Sequence, residues 1–217
     1  MVPSPKPTKK EVVTAFRTRE ILAAARKLME RRGLEAVTME EIAAAARVAK
    51  GTIYLYFPSK DELIQALITE VGESLLQDIE AAVLAPGSPA EKIQRVAALL
   101  LECLIKERAL YPIYARDSHR AEHGSPHGYW RQLQEREDKF FDLVTPVFAQ
   151  GIAAGQFIPA NPRLLTFMLR GMVRGMGYYQ MVEAKEGAVK EALAVFLTLL
   201  FYGLTPKIPA AEEVAPL

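Results

Sequence analysis

Cysteine is almost absent from this chain of 217 residues, since Cys103 is the single one. An intrachain disulfide is therefore excluded. No apolar run reaches the length of a membrane span, and residues 1–16 lack the apolar stretch of a secretory signal peptide. We expect a cytoplasmic protein with no membrane partner.

Signatures of catalysis are also lacking. The sequence has no phosphate-binding glycine loop, no nucleophile elbow and no supported cysteine–histidine pair. His119, His123 and His127 are four residues apart, as metal ligands on one helix would be, but Gly124 and Pro126 interrupt that helix. We expect a solvated loop there, no catalytic residue, no metal and no cofactor.

Helical periodicity dominates what is present. Half of the residues are hydrophobic, and no segment predicts a convincing strand. We expect an all-α protein of about nine helices, with Gly33 ending the first and Pro146 kinking the seventh. The predicted helices cover 17–32, a short segment after Thr38, 49–57, 60–82, 90–107, 111–121, 127–154, 162–184 and 188–203.

Residues 38–60, TMEEIAAAARVAKGTIYLYFPSK, predict two short helices joined by a tight turn. Thr38 and Glu41 form a capping-box pattern, and Ser59 and Glu62 repeat it at the next helix. The expected buried faces contain, on the first helix, Ile42, Ala45 and Ala46 and, on the second, Ile53 and Phe57. Such a pair is typical of a helix-turn-helix that places its second helix in the DNA major groove.

At these residues the sequence resembles the TetR family of bacterial transcription regulators. The resemblance rests on Thr38, the alanine-rich helix, and the run from Lys50 through Tyr54, Tyr56 and Phe57 to Pro58-Ser59-Lys60, and it covers about the first third closely. Two positions depart from the family pattern. Arg47 stands where the turn usually has glycine, and Ala49 stands where the reading helix usually begins with serine or threonine.

Charge is distributed unevenly along the chain. Residues 1–60 contain twelve Lys and Arg against six Asp and Glu, whereas the whole chain has a net charge of +1. A basic N-terminal third favours a polyanionic partner. We therefore expect double-stranded DNA as the partner, with base or phosphate contacts from Thr38, Lys50, Gly51, Thr52, Tyr54, Tyr56 and Lys60.

The eighth and ninth predicted helices carry a second signal. Met168 and Met172 belong to a wide apolar face, Gly171 and Gly175 would allow close helix approach, and the ninth helix is apolar nearly all round. The core of a monomer would explain this pattern as well. The family resemblance instead implies a homodimer in which these two helices, with Met168, Gly171, Met172, Gly175, Phe196 and Leu200, form the interface.

The resemblance also implies a mostly apolar cavity for a small-molecule effector in the remaining helices. Polar and aromatic residues there could supply its lining. The candidates are Cys103, Tyr114, Arg116, Trp130, Phe141, Arg170, Arg174 and Tyr178. Ordinary core or surface roles remain open for each, and Arg170 and Arg174 could pair with carboxylates across the interface instead of binding an anionic ligand.

These observations together predict four segments. They are a disordered basic arm at 1–14, a DNA-binding domain at 15–75, an effector-binding and dimerisation domain at 76–207, and a tail at 208–217. The predicted function is a ligand-responsive regulator, with repression favoured, that leaves a palindromic operator when a small apolar effector binds. The alternative is an all-α binding protein or enzyme whose N-terminal helix pair is only structural.

Overall fold

The computed structural model describes residues 8–123, 129–182, 194–196, 198–200 and 202. Within these ranges the chain is all-α, as predicted, and no described residue forms a strand. Residues 194–196 and 198–200 are helical too and fall in the predicted ninth helix. The helices are α1 (Lys9–Arg32), α2 (Met39–Ala45), α3 (Lys50–Tyr56), α4 (Lys60–Leu84), α5 (Pro89–Lys106), α6 (Tyr111–His123), α7 (Tyr129–Ala153) and α8 (Pro162–Val182).

The chain divides into two compact units at Val71 and Gly72, inside α4. We call residues 1–71 the head and residues 72–217 the body. The first half of α4 supplies Leu63 and Leu67 to the core of the head, whereas its second half supplies Ile79 to the core of the body. One continuous helix therefore belongs to two separate cores.

The first helix begins earlier than the sequence predicted. It starts at Lys9, and the Thr8 hydroxyl accepts a hydrogen bond from the Glu11 amide while the Glu11 carboxylate accepts one from the Thr8 amide. This capping box fixes the start eight residues before the expected position at 17. Residues 9–14, predicted to be disordered, are helical, and residues 1–7 lie outside the described part.

The buried face of α2 differs by one position from the prediction. Met39, Ile42, Ala43 and Ala46 are buried, but Ala45 is exposed. The predicted Ala45 was wrong because, although it is three residues after Ile42, the buried face extends from Ile42 in the other direction, toward Met39, Ala43 and Ala46. Ile53 and Phe57 of the second helix are buried, as expected.

The body packs α5, α6, α7 and α8 around one hydrophobic core, and Pro146 lies inside α7. Two glycines mark the closest contacts. A Cβ at Gly177 of α8 would overlap the Tyr111 ring, and a Cβ at Gly151 of α7 would overlap the Phe157 ring. Bulk at either position would therefore force the elements apart.

The described residues can be compared with the expectations of no metal site and no membrane span. No group of histidine, cysteine and carboxylate side chains among them is arranged to hold a metal ion. None of the helices in those ranges has the length and hydropathy required to cross a bilayer. The predicted loop at 123–126 is outside the described part except for His123, which ends α6.

Candidate DNA-binding surface and effector region

The turn between α2 and α3 has the hydrogen bonds of a Schellman motif. The Val48 amide donates to the Ala43 carbonyl at 2.9 Å, and the Arg47 amide donates to the Ala44 carbonyl at 3.1 Å. Arg47 occupies the left-handed position of this motif with φ of 58°. Glycine is usual there because a Cβ is strained at positive φ. The turn therefore has the backbone geometry that glycine usually adopts, with Arg47 in the strained position.

The reading helix α3 begins without a side-chain cap. Ala49 is its N-cap and makes no side-chain hydrogen bond. The Ala49 carbonyl still accepts from the amides of Thr52 at 2.8 Å and Ile53 at 3.3 Å. With seven residues, α3 is too short to be stable alone, so Ile53 and Phe57 hold it through burial in the head.

One carboxylate connects α2 to two predicted DNA-reading residues. Glu40 Oε1 lies 2.8 Å from the Lys50 ammonium and 3.5 Å from the Tyr54 hydroxyl. Its hydrogen bond to Lys50 lowers the pKa of Glu40 and raises that of Lys50. All three side chains are exposed, so the attraction is weakened by solvent. Lys50 and Tyr54 are four residues apart and therefore share one side of α3, where Glu40 contacts both.

The other predicted DNA-binding residues lie around this side. Thr38 caps α2, because its hydroxyl accepts from the Glu41 amide, and Arg32 at 2.6 Å helps lower the pKa of Glu41 to about 2. The Lys60 ammonium donates to the Glu35 carbonyl at 3.4 Å. Thr52 and Tyr56 are half-buried in α3, and Gly51 is exposed. The structure thus brings the seven predicted residues to the starts of α2 and α4 and along α3.

Two residues of this surface were missed from the sequence. Glu40 was not singled out, because its contact to Lys50 crosses the turn between the helices. Leu55 was given no role from the sequence, but it is 83% exposed. Its spacing from buried Ile53 would have indicated this, because residues two apart on a helix do not share a face.

In the body, a partly buried ion pair joins α7 and α8, with the side chains of Arg170 and Glu137 14% and 25% exposed. Arg170 is paired with Glu137, with Nε to Oε2 at 2.9 Å, and the Tyr114 hydroxyl of α6 donates to Glu137 Oε1 at 2.6 Å. Burial raises the pKa of Glu137, but Arg170 and Tyr114 together lower it by more than burial raises it. The net shift of the pKa is therefore downward. The pair therefore stabilises the fold above the ordinary carboxyl pKa of 4.5 and loses that contribution as the pH falls through the lowered value.

Arg174 lies at the edge of the same cluster. Its guanidinium is 3.9 Å from Glu137, and its carbonyl accepts a 2.7 Å hydrogen bond from the Tyr111 hydroxyl. Both predicted anion-binding arginines thus contact a carboxylate of their own chain. The sequence had suggested carboxylates across a subunit interface as the alternative to an anionic ligand.

The remaining predicted effector residues are dispersed. Cys103 and Trp130 are half-buried, and Phe141 is buried. Arg116 and Tyr178 are exposed, which differs from the expectation that they line a cavity. Arg116 instead donates through Nε to Asp117 at 3.0 Å.

Asp117 is a buried carboxylate that sequence reasoning overlooked. It is 1% exposed, and burial followed by the charge of Asp117 raises the pKa of the neighbouring Tyr129. A polar group so deeply buried requires a partner, and Arg116 provides one from the adjacent position. Asp117 and Tyr129 extend the polar cluster of Tyr114 and Glu137 along α6 and α7.

Two pockets open on the described surface of the body. One of about 330 Å³ is lined by Phe141, Thr145, Pro146, Asn161 and Arg163, where α7 meets the start of α8. The other, of about 520 Å³, runs between the second half of α4 and α7. Arg163 stacks over the Phe141 ring with 4.9 Å between the guanidinium carbon and the ring centroid. Phe141, a predicted effector residue, thus lines an observed pocket.

The predicted interface residues separate into two groups. Met168, Gly171 and Gly175 are exposed on α8, and a Cβ at either glycine would meet no atom within 4 Å. Phe196 and Leu200 differ from the prediction because both are buried in the core of the body. Their sequence neighbours Val195 and Leu199 are exposed instead. The exposed apolar residues of the two helices are Leu164, Phe167, Met168, Tyr178, Tyr179, Met181, Val182, Val195, Leu199 and Tyr202; Met172 is half-buried.

Comparison with known sequences assigns both units. Residues 21–67 match the family described as bacterial regulatory proteins, tetR family, and residues 86–178 match the tetracyclin repressor-like C-terminal domain. The transcriptional repressor KstR2 of Mycobacterium tuberculosis is 27% identical over 140 residues, which are 64% of this chain and 68% of KstR2. That relative is a transcription regulator rather than an enzyme.

Solved structures share the fold. A TetR/AcrR-family regulator from Thermobifida fusca superimposes with a TM-score of 0.73 and 22% identity, covering 86% of this chain and 97% of that one. The regulator FadR of Bacillus subtilis in complex with stearoyl-CoA gives a TM-score of 0.63 at 22% identity, covering 85% and 98%.

Proposed function

Since the chain belongs to the TetR family of bacterial transcription regulators, we propose that it is a repressor which binds a palindromic operator as a homodimer and releases it when a small, largely apolar effector binds. The observation that carries the proposal is the helix-turn-helix of the head, in which Lys50 and Tyr54 share one side of α3 and both contact Glu40. We place this activity in the bacterial cytoplasm, where the DNA lies.

The DNA contacts divide by position. Lys50, Gly51, Thr52 and Tyr54 are at the front of the reading helix, from which side chains reach base edges. Thr38, Tyr56 and Lys60 are at the helix ends, where phosphate contacts are expected. The excess of Lys and Arg over Asp and Glu in residues 1–60 favours both kinds of contact.

The homodimer is supported by the exposed face of α8. Gly171 and Gly175 cost helix stability, and the open space around each is not needed by its own chain. Exposed Phe167 and Met168 lie on the same helix. A second α8 packed over the glycines would bury that apolar surface. A symmetric dimer would present two α3 helices to successive major grooves.

The effector is proposed to bind in the body near Phe141 and the polar cluster of Tyr114, Glu137 and Arg170. KstR2 is a repressor, and FadR is seen with stearoyl-CoA. An acyl chain with an anionic head would suit an apolar body that contains arginines. Because Arg170 and Arg174 already contact Glu137, such a head group has to compete with that carboxylate.

Coupling between effector and operator is proposed to pass through α4. Its two halves belong to the cores of the head and the body. A ligand alters operator affinity only if it prefers one of two conformations of the protein. Reciprocity then requires operator DNA to weaken effector binding by the same factor.

Selection of bound sequences from random duplex DNA tests the DNA-binding proposal. We expect recovery of a near-palindrome whose half-sites are one helical turn apart. Retention should decrease as salt is raised. Recovery of no sequence preference would leave the head as a structural helix pair.

The dimer is tested by Gly171→Leu, with Gly171→Ala as the smaller matched change. We expect Gly171→Leu to produce monomers in sedimentation and to lose tight binding to the palindrome. The head should keep weak affinity for any duplex. A wild-type monomer that binds the full palindrome tightly would contradict the proposal.

The effector is tested by adding fatty acids and acyl-CoA thioesters of increasing chain length to the operator complex. We expect long-chain compounds to release the DNA. Arg174→Ala should weaken release by the anionic compounds more than release by neutral acyl esters. A compound that binds the protein without changing its operator affinity would show that the two sites are not coupled.

A further inference from the structure

Leu55 is the most exposed large hydrophobic residue in the described part of the chain. It is 83% exposed and stands in the last turn of α3. Full burial of a leucine side chain contributes about 1.5–3 kcal/mol to stability. An exposed leucine does not make this contribution to folding. Its neighbours Ile53 and Phe57 already anchor α3 in the head. The packing of the free protein therefore gives no reason for leucine at this position.

Gly51 lies four residues before Leu55 and has the same property. It is inside α3, is exposed, and a Cβ placed there would meet nothing within 4 Å. Glycine in a helix is less stable than alanine by about 0.5–1 kcal/mol. No neighbouring atom of the head requires the missing side chain. Gly51 therefore weakens a seven-residue helix, whereas Leu55, a good helix former, leaves its apolar side chain in water.

The two positions form one patch. Residues four apart occupy the same side of a helix, so the bare surface of Gly51 lies beside the Leu55 side chain. Lys50 and Tyr54, which both contact Glu40, border this patch. An apolar side chain next to exposed backbone, flanked by a cation and a phenol, fits the floor of a major groove. Thymine offers a methyl group there, which apolar side chains contact.

We propose that Leu55 reads a thymine in each operator half-site by packing on its 5-methyl group, and that Gly51 is glycine so that the groove can approach the helix backbone. This inference rests on the proposed DNA-binding function. It adds a residue that selects one base and the chemical group by which it does so. The occupant is DNA, because the surrounding head is basic and the patch lies on the reading helix.

The test uses the selected operator with each thymine replaced in turn by deoxyuridine, which removes only the methyl group. We expect one position per half-site at which wild-type affinity falls about fourfold, or about fifteenfold when both half-sites are changed. Leu55→Ala should bind the thymine operator about as weakly as the wild type binds the uracil operator. It should no longer distinguish the two bases.

Two variants complete the test. Leu84→Ala removes another strongly exposed leucine, 75% exposed at the end of α4, and should leave operator affinity unchanged. Gly51→Ala should preserve or raise helicity and lower operator affinity. Equal affinity of the wild type for thymine and uracil at every position would overturn the inference while leaving operator binding itself intact. Retained discrimination in Leu55→Ala would overturn it too.

Discussion

The head and the body place their charges differently. The ion pairs of the head are at its surface, as in Arg32 with Glu41 and Lys50 with Glu40, which are all well exposed. In the body, Arg170 and Glu137 lie between α7 and α8 with only 14% and 25% of their side chains exposed. Exposed pairs contribute little to stability and are easily exchanged for other partners, whereas a buried pair is costly to break. Charges in the head are thus available to DNA, and charges in the body specify internal packing.

The largest expected effect comes from breaking the partly buried pair. Arg170→Met leaves the Glu137 carboxylate without its main cation and should lower the free energy of unfolding by about 3 kcal/mol, the lower end of the range for a fully buried pair, since this pair is partly exposed. Urea unfolding followed by fluorescence of Trp130, the single tryptophan, measures this in the body.

Two controls keep that result interpretable. Arg170→Met combined with Glu137→Gln removes both charges and should recover much of the loss. Arg32→Ala, which breaks an exposed pair of the head, should leave the urea midpoint followed by circular dichroism, which also reports the head, nearly unchanged. An Arg170→Met protein with the wild-type midpoint would contradict the difference between the two units.

The second prediction concerns DNA binding and compares two kinds of residue within the head. Tyr54→Ala should reduce operator affinity by about 1–3 kcal/mol and change the preferred sequence, because we propose that Tyr54 contacts bases. Lys60→Ala should weaken binding to all sequences alike and lower the salt dependence by about one released ion. Titrations against operator and scrambled duplexes at several salt concentrations provide both quantities. Equal loss of specificity in the two variants would refute the division.

Glycines sharpen the comparison further. Gly177→Ala in the body pushes a methyl into the Tyr111 ring and should cost about 1–3 kcal/mol of stability. Gly51→Ala in the head meets no atom and should be neutral or stabilise by up to about 1 kcal/mol. Thermal unfolding by circular dichroism compares them. Equal destabilisation by both changes would mean that the head glycine also has a packing role.

The smallest expected effect is at the strained turn. Arg47→Gly removes a Cβ from a position with φ of 58° and should stabilise the head by up to about 1 kcal/mol, because the gain is offset by the greater freedom of glycine in the unfolded chain. Gly33→Ala makes the opposite change at φ of 79° and should destabilise it. Hydrogen exchange of the Ile53 amide reports both. Faster exchange in Arg47→Gly would show that the arginine makes a compensating contact.

The head could be predicted from the sequence in detail because its signals are local. Capping boxes, the proline after Phe57 and the spacing of Ile53 and Phe57 each act within a few residues. The start of α1 was nevertheless missed, although Thr8 and Glu11 have the same capping pattern as Thr38 and Glu41. The charged residues around that start concealed it, since helical periodicity of apolar residues was the main criterion.

The body could be predicted only as a set of helices. Their limits agree with the structure to within a few residues, but the partners of Arg170 and the burial of Asp117 could not be foreseen. Arg170 and Glu137 are 33 residues apart in the chain, so their contact depends on how α7 and α8 pack. The outward side of residues 194–196 and 198–200 was also misplaced, because a helix that is apolar all round carries no pattern to orient it.

The capping boxes have a kinetic consequence. Thr8 with Glu11, Thr38 with Glu41, and Ser88 with Glu91 each close between residues three apart, and the Glu62 amide donates to Ser59 across the same separation. Contacts this short in sequence form early, because little chain entropy is lost in closing them. The starts of α1, α2, α4 and α5 can therefore be marked in the unfolded chain before any core exists. During hydrophobic collapse, the chain then packs helices whose N-termini are already defined.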